Sequence, residues 1–407
     1  MIAHLCRLAW NRRRTNLLLV GELLLSFIVL TPLIAGWVLF AAEELEPLGF
    51  EYEDVWSVRL SDRNYGERAQ GDHRRNIELV WRELQALDQV EAVALASEAP
   101  FRFPSSWYGI TSVHISDVGL DVLGLQLLGG RWFQSGDEAL NWTPAVIDRE
   151  LSQALFGDED PVGKAIEDSP AMDWQGGNYF PRLDRVRVVG VVENCFYYGD
   201  YEKAKLPGFI FLRISQEWVA SPLQSWVNFL VKTAPGAGLE VGETLRSRIQ
   251  AVVPADESIG LAVESLAARQ EDDRLNQVQN LGFIAVISGL MMFMVALGLT
   301  GMMWQNVRRR TREIGIRRAA GAPTGRIYGQ FLGELAVIVT VAIALGCVPM
   351  VQFGLLDMVL GSRVPIYVAV CGLGATALVL YLLVLLCGLY PSWLATKVRP
   401  VEALHHD

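Results

Sequence analysis

Leu281–Trp304 reads LGFIAVISGLMMFMVALGLTGMMW, and no charged side chain occurs anywhere between Arg274 and Arg308. A bilayer core takes about 20 apolar residues in helical form, and buried helices of soluble proteins rarely run this long without charge. This stretch is therefore expected to cross a membrane. Three further windows meet the same requirement. Leu17–Ala42 is interrupted only by Glu22 and a Thr31-Pro32 step, Ile327–Phe353 contains Glu334 as its one ionisable residue, and Val364–Thr396 contains none. Four spans follow, with cores at about 17–42, 281–304, 327–353 and 366–394.

The composition fits. Of the 407 residues, 51% are hydrophobic and only 20% charged, below the roughly 25% of an ordinary soluble chain. The mean hydropathy is +0.27. Collagen-like, disordered and disulfide-scaffold classes are excluded, and the net charge of −10 excludes a strongly basic nucleic-acid binder.

Orientation follows from Lys and Arg at the span ends. Arg7, Arg12, Arg13 and Arg14 precede the first span, seven arginines from Arg308 to Arg326 separate the second from the third, and Lys397 and Arg399 follow the fourth. The short turn between the third and fourth spans carries only Asp357 and Arg363. Both termini are thus expected in the cytoplasm of a multi-pass inner-membrane protein, with residues 43–274 outside. The first span exceeds the 7–15 residues of a signal-peptide core, and no clear A-x-A site follows it, so it reads as an uncleaved anchor.

The exterior segment mixes strands and helices. Val55–Leu60, Thr111–Ile115, Ala145–Asp148, Val186–Val192, Phe209–Leu212 and Trp226–Val231 are rich in β-branched and aromatic residues and bounded by turn formers. Asp72–Leu87, Arg149–Phe156 and Leu239–Val252 have helical spacing. An α+β domain is expected, followed by a polar helical stretch, Ser265–Gln279, that forms a stalk leading into the second span. Cys195 is the one cysteine of this segment, so no disulfide can form within it.

Gly157–Ala165 superficially suggests a phosphate loop. It has five residues between its glycines, three of them acidic, and Ala165 lacks the hydroxyl that would hold magnesium. It reads as a turn, and no metal-ligand spacing or catalytic set stands out, so neither a cofactor nor a catalytic residue is expected in this chain. Glu22 and Glu334 lie within spans near their basic ends. A mid-bilayer carboxylate costs about 2.5–3.5 kcal/mol on insertion scales, so each needs a partner or a coupling role, and the two could share one.

Six arginines fall between Arg308 and Arg318, more than topology needs. Glu313 stands four before Arg317, the favourable order for a helical ion pair. The charges surround the helix rather than leaving one apolar stripe, as expected of a short helix gripped by protein on several sides. Gly321 supplies a left-handed cap and Pro323 a restart into the third span.

The run Arg312-Glu313-Ile314-Gly315-Ile316-Arg317-Arg318-Ala319-x-Gly321-Ala322 resembles the cytoplasmic signature of the MacB/FtsX-like ABC transporter permeases. Phe331-Leu332-x-Glu334, Tyr390-Pro391 and Pro400-Val401-Glu402-Ala403-Leu404 fit the same family. Val122-Leu123-Gly124-Leu125 through Gly130-Arg131-x-Phe133, Leu155-Phe156-Gly157, Asp160-Pro161-x-Gly163-Lys164 and Val188-Val189-Gly190-Val191-Val192 are similar to the MacB-type periplasmic core domain.

The resemblance implies an α-helical membrane protein with four transmembrane helices and a large α+β periplasmic domain inserted between helices 1 and 2. Its parts would be 1–42 (cytoplasmic N-terminus and first span), 43–264 (core domain, with subdomains 50–104 plus 218–264 and 105–217) and 265–407 (stalk and FtsX-like domain). It departs from MacB in that no nucleotide-binding domain precedes the first span, so a separate ATPase subunit, carrying ATP and magnesium, is implied. Arg312, Glu313, Ile314, Gly315, Ile316, Arg317, Arg318, Gly321 and Ala322 would form the coupling helix that this subunit grips. Further implied partners are a second copy or a related permease, a periplasmic adaptor, an outer-membrane channel and membrane lipid, with no nucleic acid. The activity implied is mechanotransmission that drives export or extraction of a peptide, toxin, lipoprotein or drug. The alternative is an FtsX-like switch that activates an envelope hydrolase without moving cargo.

Charge is sharply polarised. Glu43–Arg274 holds 39 acidic and 21 basic residues, a local charge of −18 against +8 for the remainder. The acidic exterior favours cationic cargo or adaptor surfaces.

Overall fold

The computed structural model describes residues 13–43, 47–62, 70–101, 105–107, 110–166, 186–195, 208–214, 226–238, 240–253, 259–309, 323–360 and 366–397. The chain divides into two compact units, Met1–Glu46 with Gln277–Asp407, and Pro47–Asn276. Helix α1 (Arg13–Glu43) opens the chain. The inserted unit then runs through β1 (Val55–Asp62), α2 (Gln70–Gln85), β2 (Val90–Ala96), β3 (Ser105–Trp107), β4 (Ile110–Ile115), α3 (Gly119–Leu123) and β5 (Leu127–Gly130). It continues with β6 (Thr143–Asp148), α4 (Arg149–Phe156), β7 (Val186–Val192), β8 (Phe209–Arg213), β9 (Trp226–Thr233), α5 (Glu240–Val252) and β10 (Ile259–Ser265). Helices α6 (Leu266–Arg309), α7 (Thr324–Leu360) and α8 (Ile366–Lys397) complete the described chain.

Within the inserted unit the strands form one mixed sheet in the order β10-β1-β9-β2-β4-β8-β6-β7-β5, with β3 on β4. Pairs β4–β8 and β6–β7 are parallel. The weakest link is β2–β4, joined by the single register pair Ala96↔Ile115. Two hydroxyls extend it: Leu95 N–H donates to Ser116 Oγ and His114 N–H to Ser97 Oγ, both at 3.0 Å. On one side of this seam lie strands from residues 55–96 and 226–265, and on the other those from 105–213.

The helices bury the faces their sequences dictate. Ile77, Val80 and Leu84 of α2 and Val241, Leu245 and Ile249 of α5 share a core with Val58, Val93, Phe229 and Val231. Helix α4 starts where Asp148 Oδ1 accepts from Leu151 N–H at 2.8 Å, a side-chain cap for an otherwise orphaned donor. Strand β7 reads as near-continuous Val because it is covered on both faces: Val189 and Val192 enter one core, Val186, Val188 and Val191 another. Gly190 permits the close passage of Arg131, whose backbone would collide with any Cβ there.

In the other unit, Leu19 and Leu23 of α1 pack with Val295 and Leu299 of α6, Leu335, Ile338, Val339 and Ala342 of α7, and Val384 of α8. Lipid provides no hydrophobic drive between helices, so close van der Waals packing and interhelical hydroxyl bonds hold them together. Thr340 and Tyr381 hydroxyls meet at 2.7 Å. Pro32 sits inside α1, and at the residue before it Thr31 Oγ1 donates to the Phe27 carbonyl at 2.7 Å.

The four expected spans are helices long and apolar enough to cross a membrane, with windows Leu17–Val38, Leu332–Gln352, Val368–Cys387 and the apolar part of Leu266–Gly301. The chain is an α-helical membrane protein with an α+β domain inserted between its first two spans. The polar stretch after Ser265 and the second span are one helix of 44 residues, and no proline occurs in it. Strands β2, β3, β5 and β10 and helix α3 were not anticipated from the sequence. Helix α7 continues through Asp357 to Leu360, so Asp357 lies on the helix and not in the following turn.

Candidate functional site

The nine residues expected to form the coupling helix, Arg312, Glu313, Ile314, Gly315, Ile316, Arg317, Arg318, Gly321 and Ala322, lie outside the described residues. What frames them is described: α6 ends at Arg309 and α7 starts at Thr324, directly after Pro323.

Both intramembrane carboxylates are half-buried. Glu22 of α1 faces α6 at Gly298, where a Cβ would run into the carboxyl group. Gly298 is thus the residue that gives Glu22 room, a contact that requires glycine for close approach. One turn on, Ser26 Oγ donates to the Glu22 carbonyl at 2.6 Å. Glu334 stands on α7 next to Leu335. Leu335 and Leu23, the chain neighbours of the two glutamates, belong to one apolar cluster that also contains Leu299. A residue beside each glutamate thus lies in the cluster that joins α1, α6, α7 and α8.

The start of α6 is fastened to the exterior domain by residues the sequence did not single out. Leu266 is fully buried in the central core with Phe50 and Phe101. Arg269 Nε donates to the Phe101 carbonyl at 2.8 Å, and its Nη1 pairs with Glu264 Oε2 at 2.5 Å. Phe101 has φ +59, the one positive φ of a non-glycine among the described residues. That conformation costs on the order of 1–2 kcal/mol for a residue with a Cβ and persists only where its surroundings fix it. Here its ring, 4% exposed, lies 5.5 Å from Phe50 and 5.8 Å, edge-on, from Tyr52.

Among the described residues no group of His, Cys, Asp and Glu could hold a metal ion. The Gly157–Ala165 segment places Lys164 Nζ 2.5 Å from Glu159 Oε2 and over the Phe156 ring. It is a turn whose lysine pairs within the segment.

Two family models match the chain: the MacB-like periplasmic core domain over residues 36–248 and the FtsX-like permease C-terminal over residues 285–400. The chain belongs to the MacB/FtsX-like permease family. Both matching models describe permease domains. Among curated relatives, the macrolide export ATP-binding/permease protein MacB of Pasteurella multocida is 22% identical, over 77% of this chain and 46% of its own length. The pyoverdine export ATP-binding/permease protein PvdT of Pseudomonas savastanoi pv. phaseolicola is 27% identical, over 74% and 43%. The chain thus spans less than half the length of these relatives. The crystal structure of the periplasmic region of MacB from Actinobacillus actinomycetemcomitans aligns with 56% of this chain and 97% of that one, at 16% identity and a TM-score of 0.35.

In this MacB-like core domain two buried ionisable groups flank the middle of the sheet. Burial pushes the His114 imidazole down to about 4, so it is neutral in the folded domain at any ordinary pH. Burial raises Asp148 to about 7, against the hydrogen bonds it accepts from the backbone N–H groups of Leu151, Phe209 and Cys195. Both serve the sheet: His114 at the β2–β4 seam, Asp148 at the cap of α4. Arg131 and Asp137 form a bidentate pair at 2.7 and 2.8 Å, which holds the Asp137 carboxyl below its usual range.

Proposed function

We propose that this chain is the permease subunit of an ABC transporter, converting ATP hydrolysis by a separate cytoplasmic ATPase subunit into movement of its exterior domain. The feature that carries the reading is α6, one uninterrupted helix whose first turns are anchored in the exterior domain and whose apolar part is long enough to span the bilayer. A helix with its hydrogen bonds satisfied internally is stiff, so displacement at its cytoplasmic end arrives at the domain rather than being absorbed by a loop. The Arg312–Ala322 segment at that end is the grip for the ATPase, which supplies ATP and magnesium. Orientation follows the arginine-rich flanks, with both termini cytoplasmic and the acidic domain periplasmic, in the inner membrane.

A second copy of the chain or a related permease packs beside it to complete the assembly. The seam at Ala96↔Ile115 favours treating the two ends of the sheet as two subdomains, 50–104 plus 218–264 and 105–217. The names of the relatives point to export, and the acidic exterior to cationic or amphipathic cargo and adaptor surfaces, with an outer-membrane channel beyond. The hydroxyls of Ser26, Thr31, Ser288, Thr300 and Thr376 donate to carbonyls of their own helices and those of Thr340 and Tyr381 meet each other, which favours action on cargo from the periplasm or outer leaflet over a path through the bilayer core.

The experiment is recovery of the ATPase. Affinity purification of the chain from detergent is expected to bring a P-loop ATPase with it, and the double reversal Glu313→Lys, Arg317→Glu to reduce that recovery severalfold. Unchanged recovery removes the coupling-helix assignment; absence of any ATPase removes the reading.

A further inference from the structure

We propose that Arg269 is a positioning residue that locks α6 against rotation relative to the exterior domain, so that stalk and domain move as one body. The inference rests on the mechanotransmission reading above. The lock has three parts. Leu266 sinks into the core of the domain and supplies the apolar anchor. Arg269 then makes two bonds with one planar group, Nε to the Phe101 carbonyl and Nη1 to the Glu264 carboxylate. Phe101, held left-handed at φ +59, turns its carbonyl to that guanidinium and its ring onto Phe50 and Tyr52.

Phe50 and Tyr52 belong to the segment that arrives from the first span, and Leu266 and Arg269 to the one that leaves through the second. Phe101 touches both. The two chain crossings into the domain are therefore fastened at one point.

The division of labour follows from the chemistry. A leucine in an apolar pocket resists withdrawal, but it lets a helix roll about its own axis. A guanidinium fork shared between a backbone carbonyl and a carboxylate fixes that angle, because the carbonyl cannot change rotamer and the fork is rigid. Lysine keeps the charge and the Glu264 pair, but it is a point donor and cannot hold both acceptors in one plane. Arg269 is 25% exposed, and such pairs contribute little to stability. Its role is thus read in geometry rather than in melting temperature.

The test uses the full chain in lipid nanodiscs. Spin labels are carried on noncanonical amino acids at Arg74, 52% exposed on α2, and Leu275, 49% exposed on α6. Without nucleotide, the native background is expected to give a narrow distance distribution, with R269Q and R269K at least doubling its width. E264Q, which spares the Phe101 bond, stays narrow, and thermal unfolding of all variants stays within a few degrees of the native chain. A native-like width in R269Q overturns the lock, and a native-like width in R269K overturns the fork argument. If R269Q does not accumulate, R269K, which keeps the charge and the Glu264 pair, carries the same measurement with the same expected broadening. Because the width is read without ATP, failure to recover an ATPase refutes the functional reading while leaving this measurement intact.

Discussion

Acidification gives a sharp test of the exterior domain's core, through His114. Its imidazole titrates near 6.5 when exposed and at about 4 in the folded domain, because burial disfavours the cation. Above pH 6.5 both folded and unfolded states are neutral there, and the group adds no pH dependence. As pH falls from 6.5 to 4, the unfolded chain takes up a proton that the folded domain refuses, so stability is lost through that window and levels off below it. A depression of this size corresponds to about 3 kcal/mol. Asp148 works with the opposite sign. Raised to about 7 by burial, its contribution is present at low pH and lost as pH rises through 7, so the two partly cancel between pH 4 and 6.5 in the native chain. The perturbation is therefore His114→Gln, and the quantity is the difference between variant and native profiles. Urea unfolding of the full chain in detergent, followed by hydrogen exchange of peptides covering β4 and β9, is measured at pH 7.5, 6, 5 and 4.5. The native chain is expected to lose on the order of 2–3 kcal/mol more than the variant between pH 7 and 4.5. Parallel profiles would refute the burial of a neutral imidazole at the seam, whatever the offset between them.

Three further outcomes follow from the packing. Leu266→Ala removes a fully buried side chain and is expected to cost about 2–5 kcal/mol, read as loss of exchange protection in the first turns of α6 ahead of the outer strands; equal loss everywhere would place the anchor elsewhere. Gly298→Val forces the Glu22 carboxyl aside and should lower assembly of the bundle, whereas Gly289→Val, with open space at its Cβ, should not. Removing the Thr340–Tyr381 hydroxyl pair by T340V and Y381F is expected to give a double-mutant coupling of about 0.6 kcal/mol, up to about 1.7, by steric-trap unfolding in bicelles.

The membrane part was legible because its signal is the absence of charge over lengths no soluble helix needs, as between Arg274 and Arg308. Strands such as Val186–Val192 were legible because β-branched residues cluster between turn formers. Val90–Ala96 was not: three of its seven residues are alanine, a weak strand former that sheet pairing with β9 overrides. Ile259–Ser265 was hidden by Gly260 and Glu264 and becomes a strand only on pairing with β1. Glu22 was visible as a carboxylate in a span, but nothing in its local sequence reveals that Gly298 makes room for it. The stalk's attachment was invisible for the same reason. Arg269 is unremarkable among the charges around it, and its meaning comes from Phe101, far away in sequence, whose left-handed backbone no local rule anticipates. The Arg312–Ala322 motif is the reverse case, legible in sequence and resting on it alone.

The central claim is that ATP moves the exterior domain through α6. Spin labels at position 74 in both copies of the proposed homodimer, reconstituted in nanodiscs with the proposed ATPase partner, measure that movement. The account predicts a shift in the inter-domain distance on binding ATP that reverses on hydrolysis. A distribution that stays fixed while the same sample hydrolyses ATP at its full rate would contradict it.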